Sequence, residues 1–304
     1  MRGKKLIFVF WGILLTINGF AQADRFEQRY SLLVSRLGES GVGVETLIDN
    51  WEAADSLNPK VYMARFNYWL SKSREDKVVQ KYQKKYLGMD PLLSLKDSTG
   101  VDVYYFQESF YDDEGYGKAI KAIDKAIRLS EDNLGYRFAK ANAYIAYEKG
   151  SPDMALAYLE ELIGEFGHRV WTFDGNKVDN DFLADAMQEY CYSFYSLGTP
   201  SSMEAFLTLS EKLSSVFPQK PDFQNNIGAY WLVGKNDAKK ALKQYSKVLK
   251  KFPSDYTAIK NCIIISRKDR NTKQEIKYLK MMAQYGPEKD RISSQARLEA
   301  LQKK

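Results

Sequence analysis

The chain has 304 residues, of which 44% are apolar, 28% charged and 14% aromatic, and its formal net charge is +6. This composition excludes a disordered chain, which carries fewer aromatic residues and a larger net charge, and 19 Gly and 8 Pro are too few for a collagen-like chain. One His and two Cys exclude a metal centre built from these side chains, because such a centre gathers several of them. The length predicts about two domains unless the architecture is a repeat array.

The first residues have the order of segments that is typical of a secretory signal peptide. Basic side chains among residues 2–5 precede an apolar run, Leu6–Leu15, and Ala21-Gln22-Ala23 provides the small residues of a cleavage site. The alternative is an uncleaved membrane anchor, but a span needs about 20 apolar residues. We therefore expect residues 1–23 to be removed, which leaves no transmembrane span. No cysteine precedes Cys191, so we expect no lipid anchor and a periplasmic or secreted protein.

A sequence pattern repeats along the rest of the chain, in which an apparent helix ends in an aromatic residue followed by Pro or Gly. It occurs at Phe217-Pro218, Phe252-Pro253 and Tyr285-Gly286-Pro287, and Pro59 and Pro91 have a similar separation upstream. Proline ends a helix because its ring cannot continue the hydrogen-bond ladder. The interval between successive prolines is about 34 residues, a period that predicts stacked pairs of helices.

Apolar residues recur at helical spacing between these prolines. In residues 237–252 they form one stripe, with lysines on the opposite face, and residues 116–129 have the same pattern. Val103, Phe106 and Phe110 have the spacing of a helix that precedes residues 116–129. We therefore predict a first helix over this segment, paired with the second helix that follows it.

These features resemble the tetratricopeptide repeat, whose signature of about 34 residues places W-x-x-L-G-x-x-Y before A-x-x-x-F and a final A and P. In one unit, Ile227-Gly228 with Trp231 matches the first part, and Ala241, Tyr245 and Pro253 match the second. The resemblance implies an all-α fold, a right-handed α-solenoid of about seven degenerate helix-turn-helix repeats. The alternative is an independently folded all-α bundle.

The resemblance also implies how the chain is organised. A single solenoid domain would cover residues 24–304, with weaker repeats over 24–91, clearer repeats over 101–287 and a closing helix over 288–304. Glu275 stands where the family has a small Ala that lets two helices cross closely. We therefore expect that unit to be a degenerate or terminal one.

One segment is too long for the repeat. Phe166 and Phe217 mark the ends of successive units, and their separation exceeds one unit by about 17 residues. Alternating apolar residues around Asp174-Gly175 are typical of a β-hairpin. We therefore expect an inserted loop or hairpin near 168–181, which either caps the groove of the solenoid or binds a ligand.

Sequence patterns for catalysis are absent. His168 is the only imidazole, and no glycine-rich phosphate loop is present. Carboxylates cluster at 112–114 and around Asp174, where the spacing is typical of solvated turns. We predict that the protein is not an enzyme and has no catalytic residues, no metal and no cofactor.

The two cysteines are predicted to remain free and to be buried. Cys191 and Cys262 fall in first helices two units apart, a separation of roughly 20 Å. A disulfide requires Cα atoms within about 7 Å.

The leading hypothesis for function is a non-enzymatic protein–protein interaction scaffold of the bacterial cell envelope, which holds a peptide or partner protein in its concave groove. In the tetratricopeptide family, first-helix residues line this groove. The positions that match are Phe138, Asn142, Ile145, Asn225, Ala229, Lys260, Ile264, Arg267 and Lys268. The alternative for each is an ordinary packing or solvated residue.

A second hypothesis is a carbohydrate-associated binding protein or hydrolase. In it the inserted loop would stack a sugar on Trp171 and Phe173, with Asp174 beside them.

Charge is unevenly distributed along the chain. Residues 235–304 hold 19 Lys and Arg against 7 Asp and Glu, a net +12, and residues 24–234 hold 23 against 32, a net −9. We expect the basic third either to bind an acidic surface or to be an ordinary solvated face. Nucleic acid is not the expected partner, because this third lacks the interleaved aromatic residues that stack on single strands.

Overall fold

The computed structural model describes residues 25–302, so the predicted signal peptide lies outside the described residues. The helices are α1 (25–37), α2 (Val44–Ala54), α3 (Pro59–Ser73), α4 (Asp113–Leu129), α5 (Leu134–Glu148), α6 (Asp153–Gly164), α7 (Asn180–Leu197), α8 (Pro200–Val216), α9 (Pro221–Ala229), α10 (Ala238–Lys251), α11 (Tyr256–Lys268), α12 (Thr272–Tyr285) and α13 (Glu288–Gln302). A π-helical turn, Tyr230–Gly234, continues α9. The strands are β1 (Arg74–Lys81), β2 (Leu93–Lys96), β3 (Asp102–Tyr111), β4 (Thr172–Phe173) and β5 (Asn176–Lys177).

The predicted all-α solenoid class is confirmed, with thirteen α-helices along the described residues, of which α13 is the closing helix. The chain divides into two compact units. One contains the residues up to Tyr147 together with Glu165–Val178, and the other contains Glu148–Gly164 and the residues from Asp179 onward.

In the first unit, antiparallel helices pack through apolar stripes with polar links at their edges. The Tyr62 hydroxyl donates to Glu52 at 3.0 Å, and the Tyr68 hydroxyl donates to Glu45 at 2.6 Å. Because residue numbers rise along α3 as they fall along α2, the two helices run in opposite directions. Trp51 is buried between them, and the ring of Phe26 from α1 stacks on it at 6.4 Å.

The structure corrects the prediction of a helix around Val103, Phe106 and Phe110, because all three lie on strand β3. The helix that pairs with α4 is α3, which precedes the inserted segment. Residues 74–111 form a sheet inserted in the turn between these two helices. The backbone N–H of Asp112 donates to the carbonyl of Ser73 at 2.9 Å and closes the base of the insertion.

This sheet has three antiparallel strands in the order β1-β3-β2. Val79 pairs with Phe106, and Leu95 pairs with Val103. Strand β3 contains Val103 and five aromatic residues, which fit a pleated strand. Its neighbours β1 and β2 provide hydrogen-bond partners for its backbone groups. Pro91, read from the sequence as the end of a repeat, lies in the loop that enters β2. The pair formed by α3 and α4 therefore extends past residue 91, where the sequence placed the end of the weaker repeats.

In the second unit, polar contacts join equivalent positions of successive repeats. Tyr256 and Asp290, 34 residues apart, are joined at 2.8 Å, and Ser246 and Tyr278, 32 apart, are also joined at 2.8 Å. Each contact spans about one repeat, as expected for stacked helix pairs.

The predicted hairpin is confirmed within 168–181. β4 and β5 pair through a two-residue turn, Asp174-Gly175, and both residues have positive φ (49° and 75°). This is the geometry of a type I′ turn, for which Asp-Gly is a favoured sequence. Along the described residues, no helix is both long and apolar enough to cross a bilayer.

The first prediction concerns the closest approach of α9 and α10. A Cβ atom at Gly228 would lie 2.6 Å from two ring carbons of Tyr245, a side chain that is only 1% exposed. Gly228→Ala should therefore lower the free energy of unfolding by about 1–3 kcal/mol, although Ala is the better helix former. Urea denaturation followed by circular dichroism measures the change.

Gly117→Ala is the matched control, because a Cβ at this helical position of α4 meets no atom within 4 Å. It should stabilise the protein by about 0.5–1 kcal/mol. Equal stabilisation by both substitutions would contradict the close packing at Gly228.

The second prediction concerns the cysteines, which are both free and buried, as the sequence predicted. Burial raises the pKa of each thiol to about 12, so little reactive thiolate is present at neutral pH. A thiol assay of the unreduced protein should find two reactive groups after denaturation and a much slower reaction in the native state. Finding no thiol after denaturation would overturn this assignment.

Candidate protein-binding cavity

Three of the predicted groove residues line one cavity in the second unit. Lys260, Ile264 and Arg267 of α11 face a space of about 490 Å³, and α13 forms the opposite wall. Their spacing of four and then three positions places them on one helix face, while Ile259 and Cys262 on another face are fully buried. The apolar core therefore fixes which face of α11 is turned to the cavity.

The cavity combines an apolar floor with a cationic rim. Ile263, Leu279 and Met282 contribute apolar surface, and Lys260, Arg267 and Arg297 contribute positive charge. Asp290 is the one acidic residue of the lining, and it accepts a hydrogen bond from the Tyr256 hydroxyl. The lining as a whole therefore has an excess of positive charge.

Glu275 organises the two arginines. It lies on α12 behind the cavity, and its side chain is only 5% exposed. Its Oε1 accepts hydrogen bonds from Nε of Arg267 and Nε of Arg297, each at 3.0 Å. Arg297 is the largest cause that lowers the pKa of Glu275, and Arg267 adds to it, against the opposing effect of burial. The carboxylate is therefore held ionised, and it fixes the positions of two guanidinium groups.

The N-terminus of α11 is fixed separately. Asp255 caps the helix by accepting from the backbone N–H of Ala258 at 2.7 Å. The same oxygen accepts from Nδ2 of Asn225 at 2.9 Å. Asn225 is only 5% exposed, so the structure places this predicted groove residue in a link between α9 and α11.

The other predicted groove residues do not meet at this cavity. Lys268 is exposed at the end of α11 and is not part of the lining, and Ala229 is half-buried at the end of α9. Phe138, Asn142 and Ile145 belong to α5 of the first unit, where Asn142 is exposed and the other two are half-buried.

The inserted hairpin lies beside one of these residues. The ring centroids of Phe173 and Phe138 are 6.1 Å apart. A residue predicted to stack a sugar therefore contacts a residue predicted to line the groove. The Thr172 N–H donates to the carbonyl of Asp132 at 2.9 Å and ties the hairpin to the loop before α5. Asp174 is exposed in the turn.

Trp171 anchors the hairpin in the first unit. It is only 2% exposed, and the guanidinium carbons of Arg137 and Arg169 lie 5.7 and 5.3 Å from its ring centroid. Glu165 pairs with both arginines, at 3.2 and 3.0 Å. Because its ring is covered, Trp171 offers no face on which a sugar could stack.

Two carboxylates of the acidic clusters noted in the sequence cap helices. Asp112 accepts from the N–H of Gly115 at 2.8 Å, and Asp179 accepts from the N–H of Phe182 at 2.9 Å. Within residues 25–302, no three His, Cys, Asp or Glu side chains come together as a metal-binding group.

Sequence reasoning missed the residues of α13 that complete the cavity. Arg297, Asp290 and Ser294 come from the helix that was predicted only to close the fold. The sequence contained one signal for Arg297. Glu275 stands at a helix crossing, and an acidic side chain buried there needs a cation beside it.

Comparisons with known proteins give little further information. No family model and no curated protein matches the chain. Among solved structures, it is similar to MamA (residues 41–end) from Desulfovibrio magneticus RS-1, at 12% identity and a TM-score of 0.34, over 77% of this chain and 97% of that one. A likeness this weak carries no argument about fold or function.

The third prediction tests the buried carboxylate. Because the pKa of Glu275 is lowered in the folded state, its ionised form stabilises the fold above the ordinary pKa of 4.5. That stabilisation is lost as the pH falls through the lowered value. Glu275→Gln should therefore lower the free energy of unfolding by about 1–2 kcal/mol at neutral pH. The difference from the parent protein should shrink toward pH 3, as followed by urea denaturation across pH.

Glu299→Gln on α13 provides the control, because Glu299 is exposed. It should change stability by no more than about 0.5 kcal/mol. A cost for Glu275→Gln that is independent of pH would show that the ionised carboxylate is not what stabilises this unit.

Proposed function

We propose that this protein is a non-enzymatic protein-interaction scaffold. In this proposal the cavity between α11 and α13 receives an extended segment of a partner protein that presents a carboxylate and an apolar side chain. The observation that carries the proposal is the combination of an apolar floor with three cations and one anion in a single lining.

The cationic rim supports a carboxylate in the bound segment. Arg267 and Arg297 each direct Nε to Glu275, and a guanidinium has further N–H donors in the same plane. Lys260 lies beside them with its ammonium group 5.5 Å from the Tyr256 ring centroid. Because Glu275 already positions the arginines, a ligand would not have to order these long side chains on binding, which reduces the entropic cost of association.

The exposed apolar surface supports an apolar side chain in the bound segment. Ile264 is 48% exposed, although its neighbour Ile263 is only 7% exposed and packs into the core. An apolar side chain that covered Ile264 would remove that surface from water at about 25 cal/mol per Å². The charged rim and this apolar surface together favour a segment with both kinds of group.

The rigid support behind the cavity favours recognition of a defined partner over adaptive binding. α11 and α12 belong to one apolar cluster of the second unit, and Leu298 and Leu301 of α13 pack against it. A pre-formed surface of this kind is what helical-repeat scaffolds use to bind extended segments. The signal-peptide pattern of residues 1–23 supports a site of action in the cell envelope, either periplasmic or secreted.

The fourth prediction tests this cavity with synthetic peptides. A library of extended peptides, each with one carboxylate and one apolar side chain at varied spacing, is titrated by fluorescence anisotropy. Lys260→Glu and Ile264→Asp should each weaken binding of the best peptide by about tenfold or more, because one removes a charge-assisted contact and the other an apolar contact.

Lys268→Glu is the matched control, because it makes the same charge change on α11 outside the cavity lining. It should leave the affinity within about twofold of the parent. The proposal fails if no peptide of the library binds, or if Lys268→Glu weakens binding as much as Lys260→Glu does.

A further inference from the structure

A second surface of the same unit carries seven exposed lysines, four on α10 and three on α12. Those on α10 are Lys239, Lys243, Lys247 and Lys250. Those on α12 are Lys273, Lys277 and Lys280. We call these seven residues the lysine face. None of them forms an ion pair within the described part of the chain.

Acidic side chains are missing from this surface. The sequence of α10 contains no Asp or Glu, and the one acidic residue of α12, Glu275, is buried. Its charge is directed to Arg267 and Arg297. The seven positive charges are therefore not compensated by any carboxylate of the two helices that carry them.

Each set of lysines occupies one side of its helix. At about 100° per residue, the four on α10 fall within an arc of about 80°, and the three on α12 fall within about 60°. From Lys239 to Lys250, at about 1.5 Å per residue, the charged strip on α10 is about 16 Å long.

The two strips lie side by side. The hydroxyls of Ser246 on α10 and Tyr278 on α12 are 2.8 Å apart, so the helices approach each other directly. Lys239 and Lys273 are separated by one repeat and thus occupy equivalent positions of successive units, so their side chains point to the same side. Because successive repeats stack in the same orientation, the two strips lie on the same side of the array, which gathers all seven charges on one surface.

We infer that the lysine face binds the surface of an anionic lipid bilayer. The residue types on this face favour a membrane over a protein partner. Protein interfaces are depleted in lysine, and their binding energy is concentrated in Trp, Tyr and Arg. α10 exposes no Trp, Tyr or Arg and no large apolar side chain, and on α12 the one exposed side chain of this kind is Tyr285 at its C-terminus.

Lysine suits a layer of lipid headgroups. It is a compact, mobile point charge without the planar fork that arginine uses for a fixed bidentate partner. Each Lys or Arg close to an anionic membrane contributes about 1 kcal/mol, and the contribution does not depend on precise geometry. With no large apolar side chain exposed on α10, the surface should attach reversibly and mainly through electrostatics.

Membrane attachment would leave the protein-binding cavity accessible. None of the seven lysines belongs to the cavity lining, which is formed by α11, α12 and α13. The two surfaces can therefore be occupied at the same time, and the membrane inference is independent of the peptide proposal.

The fifth prediction is tested by sedimentation with vesicles. The protein should bind vesicles of phosphatidylglycerol mixed with phosphatidylcholine and should not bind vesicles of phosphatidylcholine alone. Raising the salt concentration from about 0.1 to about 1 M shortens the screening length from about 10 to about 3 Å and should release the protein. Lys243→Glu, Lys247→Glu and Lys250→Glu combined should weaken binding about 100-fold or more, at about 1 kcal/mol for each lysine lost.

The matched control reverses Lys84, Lys85 and Lys121, which are exposed residues of the first unit. It changes the net charge by the same amount and should retain most of the binding. Circular dichroism should show that both triple variants fold. The inference is overturned if binding is equal on neutral vesicles, if it persists at high salt, if the control loses it equally, or if duplex DNA is bound more tightly than the anionic vesicles.

Discussion

Close crossing of neighbouring helices is the constraint on which this structure depends. Gly228 leaves no room for a Cβ against Tyr245, and Ala241, one repeat before Glu275, is fully buried. Each helix buries its apolar stripe only against its neighbours in the array. If two helices moved apart at a crossing, the apolar core of both would be exposed to water. Small residues at the crossings are therefore a packing requirement.

One crossing departs from this rule, and it lies behind the cavity. Glu275 replaces the small residue in the last pair, and a buried carboxylate is stable only with cations around it. Arg267 of α11 and Arg297 of α13 supply them, and both guanidinium groups are thereby held at the edge of a pocket. The residue that weakens the match to the repeat signature is thus the one that positions two arginines at the cavity.

The two charged surfaces of this unit arise from different helices. First-helix residues of α11 face the cavity, while the lysine face lies on the second helices α10 and α12. Residues one repeat apart fall on the same side of the array. First helices and second helices therefore form separate surfaces. In the two proposals, one of these surfaces receives a partner segment and the other contacts a membrane.

The sequence by itself determined most of the helices, the hairpin at Asp174-Gly175, the closing helix and the two buried thiols, because each depends on local spacing or on the repeat. Only the tertiary structure decided that 102–111 is a strand. Its apolar spacing is compatible with a helix, and the backbone partners that favour a strand lie elsewhere in the chain. The burial of Trp171 and the arrival of Arg297 beside Glu275 were likewise decided by contacts between distant segments, which no local pattern encodes.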